Sequence, residues 1–171
     1  MKLAKNLDRL GTETAFSVLA EAKKLEAQGK EMIHLGLGQP DFMTPKHIMD
    51  AAKKAIDDGH HGYVLANGIV ECRQAVSRKI KSLYKKEVSP DQIMIMPGGK
   101  PTMYFAIQMI GEPGAEIVHP TPGFPIYESM INYTGAKAVP YDLTKEKDLK
   151  FDPEKILSLI TDKTRLVIII N

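Results

Sequence analysis

The run from Ile93 to Ala106, Ile-Met-Ile-Met-Pro-Gly-Gly-Lys-Pro-Thr-Met-Tyr-Phe-Ala, holds the residues best suited to chemistry. An apolar stretch enters it, Gly98 and Gly99 turn it, and an apolar-periodic helix leaves it. A helix start offers backbone N–H groups and the positive end of a dipole, which together hold anions. Glycines let the backbone turn tightly and approach a ligand closely. Pro101 suits the first helical turn, where an N–H has no intrahelical acceptor. The chemistry implied is a phosphate cradle, although the same residues also suit an ordinary turn between strand and helix. The stretch has neither Walker nor GxGxxG spacing.

The remaining chain must position that loop. With 171 residues, 43% hydrophobic and 26% charged, it is long enough for one domain with a real core. A net charge of +2 gives no basic footprint for nucleic acid. No apolar run has the length of a membrane span, and no signal-peptide core follows the first residues, so no membrane role is expected. Cys72 is the single cysteine, which excludes an intramolecular disulfide and makes a reducing cytoplasm the expected setting.

Helical spacing predicts helices over 14–28, from Thr44-Pro45 to about Gly59, over 69–86, 101–110 and 126–133, and from Asp152-Pro153 to about Asp162. In the first, Ala15, Phe16, Val18, Leu19, Ala22 and Leu25 form the apolar face. In the third, Val70, Val76, Ile80 and Leu83 do, with lysines opposite. Short apolar runs predict strands at Met32–Leu35, Ile93–Met96, Glu116–His119, Ala136–Tyr141 and Leu166–Ile170. The last is unbroken by polar residues, as in a parallel sheet covered on both faces. Alternation of strands and helices gives an α/β fold with ligands at the carboxyl ends of the strands. The Gly98-Gly99 loop, the Pro120–Pro125 loop and Asn171 all fall at such ends. His60-His61 lacks the companions of a metal site, and none is expected. His34 and His119 read as hydrogen-bonded structural groups, and Cys72 has no evident base partner.

Four segments, in order, carry a resemblance: Leu35-Gly-Leu-Gly-Gln-Pro-Asp-Phe42, Gly62-Tyr63 with Asn67-Gly68-Ile69, Pro97-Gly98-Gly99-Lys100, and Pro122-Gly123-Phe124-Pro125-Ile126-Tyr127. They resemble the N-terminal half of fold-type I pyridoxal-phosphate aminotransferases, the class I/II group similar to aspartate aminotransferase. The resemblance implies a three-layer α/β/α, mostly parallel sheet. It assigns residues 1–45 to an arm of a smaller domain and 46–171 to the start of the large cofactor-binding domain. Gly99, Lys100 and Pro101 match the phosphate turn, with the Lys100 backbone N–H as the contact and its ammonium as an optional extra charge. Phe124 matches the aromatic that stacks on the pyridine ring. Tyr63 matches a tyrosine that reaches the partner's cofactor phosphate across a homodimer. Gly38 matches a glycine beside the substrate carboxylate; it also suits a plain turn. Tyr127 reads as core, and Asn171 as shaping its loop.

The function implied is amino transfer from an amino acid to a 2-oxo acid, in a cytoplasmic homodimer serving amino-acid metabolism and biosynthesis. The resemblance places the Schiff-base lysine beyond Asn171, so no catalytic residue is expected in these 171 residues, which read as an inactive fragment. A non-catalytic α/β fragment that only self-associates, and a lyase of the same fold, are the alternatives.

Overall fold

A computed structural model describes residues 2–11, 14–36, 38, 40–145 and 147–170. Leu37, Gln39 and Asn171, and the side chains of Ala15 and Phe16, lie outside the described residues. The chain divides into two compact units, one of Met1–Gly36 with Gly98–Asn171 and the other Leu37–Pro97.

The first unit contains helices α1 (Thr14–Ala27), α4 (Gly99–Ile110), α5 (Ile126–Thr134) and α6 (Pro153–Ser158), with strands β1 (Glu116–Thr121), β2 (Lys137–Asp142) and β3 (Thr164–Val167). The strands form a parallel sheet in the order β2-β1-β3. Successive strand residues face opposite sides, and β1 uses both. Ile117 packs with Ile107, Met130 and Ile131 from α4 and α5. Val118 packs on the other face with Tyr141 and with Ile156 of α6. Both are fully buried. Helices on both faces are what the run of apolar residues requires.

The second unit contains α2 (Lys46–Asp57) and α3 (Val70–Tyr84). Arg73 is 4% exposed in α3. Its guanidinium donates to the carbonyls of Gly68 at 3.2 Å and Pro90 at 2.8 Å, and to Asp91 Oδ1 at 3.2 Å. A buried charge is tolerable when it is hydrogen-bonded in this way.

Several expectations need correction. Met32–Leu35 and Ile93–Met96 are not strands. Ile33 and Leu35 are exposed, and Ile95 donates its N–H to the Asn67 carbonyl at 3.1 Å rather than joining a ladder. An apolar run becomes a strand only where another strand lies beside it. β3 stops at Val167, and Ile169 and Ile170 are exposed. Among the described residues it has β1 on one side and no strand on the other. The helix predicted from Thr44-Pro45 begins at Lys46, with Pro45 at its cap and no side-chain cap bond. On α3 the inward positions include Arg73, while Val70 and Leu83 are exposed.

Candidate functional site

Gly98 turns the chain with φ 93° and ψ 169°, a conformation essentially reserved for glycine. A Cβ there would meet open space, so the backbone angles, not crowding, call for glycine. Helix α4 starts at Gly99, two residues before the predicted start at Pro101. The first helical turn therefore reads Gly99, Lys100, Pro101. First-turn N–H groups have no acceptor within a helix, and Pro101 contributes none. Gly99 and Lys100 are the N–H-bearing positions of this turn. Both are exposed, while Tyr104 and Ile107 pack α4 onto the sheet.

The second component comes from the end of β1. The chain leaves the strand through a cis Thr121–Pro122 bond. At Gly123 a Cβ would lie 2.4 Å from the Pro120 carbonyl oxygen. Only glycine permits so close an approach, and the tight bend presents the half-buried Phe124. Tyr127 donates its backbone N–H to the Phe124 carbonyl at 3.1 Å, and their rings meet edge to face at 6.2 Å. Tyr127 also packs against the core, as its sequence suggested. Lys100 Nζ lies 5.6 Å from the Phe124 ring centroid, within cation–π range. The structure thus brings the helix start and the aromatic together at the carboxyl end of β1.

His119 is buried just before this loop, its Nδ1 3.2 Å from the Pro120 carbonyl. Burial pushes its imidazole below the usual pKa range, despite opposing contributions from Pro120 and Glu128. His34 pairs with Glu26 at 2.6 Å.

Tyr63 and Gly38 belong to the other unit. Tyr63 is fully exposed beside a recess of about 590 Å³ that His60, Val64 and Ile69 also line. Gly38 is exposed, and a Cβ there would meet nothing within 4 Å. Among the described residues no group of three His, Cys, Asp or Glu could hold a metal, and no helix is long and apolar enough to cross a membrane.

Two arginines escaped sequence reasoning. Arg73 could have been suspected, because it follows Val70 and precedes Val76 by three residues each on the apolar face. Arg9 left no such signal. Its Nε and Nη2 donate to the Asn132 and Tyr133 carbonyls at the end of α5, each at 2.8 Å.

A parallel α/β sheet with a glycine turn feeding a helix, and an aromatic ring beside it, defines a fold and site suited to a phosphorylated aromatic cofactor. The chain belongs to the aminotransferase class I and II family, whose profile matches residues 30–171; this is a family of pyridoxal-phosphate enzymes. It is 36% identical over 169 residues to an aspartate aminotransferase of Bacillus subtilis, covering 99% of this chain and 43% of that protein. Identity is also 36% over 167 residues to a (5-formylfuran-3-yl)methyl phosphate transaminase of Methanocaldococcus jannaschii, covering 98% and 43%. The solved aspartate aminotransferase of Thermus thermophilus with maleate superposes with a TM-score of 0.90 at 28% identity, over 99% of this chain and 44% of that one. The chain thus spans about 43% of the length of the curated relatives it matches.

Proposed function

We propose that the protein to which these residues belong is a pyridoxal-phosphate-dependent aminotransferase, moving an amino group from an amino acid to a 2-oxo acid. The observation that carries this reading is the meeting of the Gly98 turn, the start of α4 and the Phe124 ring at one strand end. These residues fit the cofactor. Gly99 and Lys100 present a helix start to the phosphate, with the Lys100 ammonium as an added charge, while Pro101 withholds one donor. Phe124 offers its ring to the pyridine, an offset stack worth about 0.5–1.5 kcal/mol. Bound pyridoxal phosphate supplies the electron sink for chemistry at the substrate α-carbon.

Tyr63 is assigned to the partner's cofactor phosphate in a homodimer, a role consistent with its full exposure. Gly38 is assigned to the substrate carboxylate. At the relatives' full length, residues 1–45 belong to the smaller domain and 46–171 to the large one. In the 171-residue chain residues 1–36 cluster with the sheet-bearing unit, so this division applies to the longer protein. The setting is the cytoplasm and the process amino-acid biosynthesis.

The test expresses the full source reading frame with pyridoxal phosphate. A borohydride-fixed, lysine-linked yellow protein that exchanges amino groups with a 2-oxo acid supports the reading; absence of both refutes it. The 171 residues alone are expected to bind cofactor weakly and to show no turnover. Lys100 stands at the phosphate end of the site, away from the cofactor's aldehyde.

A further inference from the structure

Residues Lys5–Arg9 form a 3-10 turn whose continuation lies along α5. Four hydrogen bonds tie the segment through Gly11 there. Arg9 donates to two carbonyls in the last turn of α5 and sets a cation at the negative end of its dipole. Ser129, one turn into the helix, accepts from the Gly11 N–H at 3.0 Å and has its hydroxyl 3.2 Å from the Gly11 carbonyl, which accepts. Between them lies a recess of about 350 Å³ lined by Leu10, Gly11, Pro125, Glu128, Ser129 and Asn132. Pro125 is the residue after Phe124 and the cap of α5.

The helix so held is nine residues long. A helix that short is marginal alone, so its packing fixes its position. Met130 and Ile131 hold its inner side against the sheet. The Lys5–Gly11 segment contacts it at Ser129, Asn132 and Tyr133. At its start, α5 grips Phe124 through the Tyr127 N–H and the edge-to-face ring contact.

We propose that Lys5–Gly11 is a strap that positions the Phe124 ring for the cofactor, with Arg9 as its anchor and Ser129 as its second point of attachment. The proposal rests on the reading of Phe124 as the stacking platform. Arg9 and Ser129 are positioning residues that act through α5 and touch no reacting atom. Coupling is reciprocal: whatever the strap adds to cofactor affinity, the cofactor must add to strap attachment.

The chain has no tryptophan, so Phe124→Trp installs a single indole at the ring position, excited selectively at the red edge of tyrosine absorption. In that background we compare Arg9→Ala, Arg9→Lys and Ser129→Ala, with Glu116→Gln at the opposite end of β1 as a stability control. Acrylamide quenching reads the mobility of the introduced indole without cofactor. Titration with pyridoxal phosphate reads affinity, and trypsin cleavage after Arg9 reads strap attachment. Arg9→Ala is expected to increase quenching and to weaken cofactor binding about fivefold. Arg9→Lys restores part of this, Ser129→Ala acts in the same direction, and Glu116→Gln changes neither. In the protein that keeps Arg9, saturating cofactor slows the cut after Arg9 by a similar factor, since cleavage follows the open population. Arg9→Ala and Ser129→Ala that lower only the melting temperature, leaving quenching and affinity unchanged, overturn the strap. Increased quenching with no cofactor binding in any variant overturns the platform reading instead, and the strap's role with it. Should Arg9→Ala not fold, Ser129→Ala decides by the same readings.

Discussion

His119 stands within β1, two residues before the strand ends at Thr121, with 4% of its surface exposed. Its folded pKa lies below the ordinary value of about 6.5. The unfolded chain therefore takes up a proton at a higher pH than the folded one. The stability that neutral His119 permits is complete above that value and is lost as pH falls through it toward the folded pKa. Urea midpoints are expected to drop as pH falls from about 7.5 to about 5.5, and His119→Gln to flatten that slope. Gly98 makes a different demand. With φ 93° and ψ 169°, Gly98→Ala is expected to cost about 1–3 kcal/mol of unfolding free energy. It should also misdirect the start of α4, so pyridoxal phosphate affinity falls with it. Affinity unchanged at lower stability would separate the turn from the cofactor.

At the level of elements, β1 carries the fold. Ile117 and Val118 anchor opposite faces, and Ile117→Ala is expected to lose about 2–5 kcal/mol in chemical denaturation. Met94→Ala, in a segment with the same apolar look but an exposed side chain, should stay within about 0.5 kcal/mol. That contrast shows what the sequence could reveal. The helices and β1 were legible because periodicity and caps are local, and most helix ends fell within two residues of their predicted places. Strand pairing is not local. Met32–Leu35 and Ile93–Met96 announce a need for burial, but their sequence names no neighbouring strand, and neither lies in the sheet. The approach of Lys100 to Phe124 was not legible on those grounds, because the rule that loops converge at carboxyl strand ends placed the glycine loop after a strand at Ile93–Met96 that is not there. The acceptors of Arg9 and Arg73 were not legible either, because backbone carbonyls more than a hundred residues from Arg9, or clustered about Arg73, come together only in three dimensions.

For the whole molecule, the unit spanning Leu37–Pro97 leaves Phe42, Met43, Tyr63, Val64 and Leu65 exposed. Apolar surface of this kind drives association. Sedimentation at micromolar concentration is expected to show dimers or larger species, shifted toward monomer by Tyr63→Ser with Leu65→Ser. A clean monomer for the unchanged chain counts against the homodimer. Such a result would leave the family membership untouched, since that rests on residues 30–171.

Among the described residues no strand pairs with the far side of β3, and this has a practical consequence for handling the protein. A strand margin with open N–H and C=O groups is a template on which further chains can add and grow into insoluble fibrils. Arg165 is an exposed charge within that strand, its guanidinium donating to the Asp162 carbonyl at 2.8 Å, and it precedes the apolar run Leu166–Ile170. It has the place and chemistry of a gatekeeper. Arg165→Val is expected to shorten the lag before turbidity and thioflavin fluorescence rise on shaking at about 37 °C, while Ile169→Pro, beyond the paired residues, should lengthen it. Equal lag times for all three proteins would mean that polymerisation starts from some other surface.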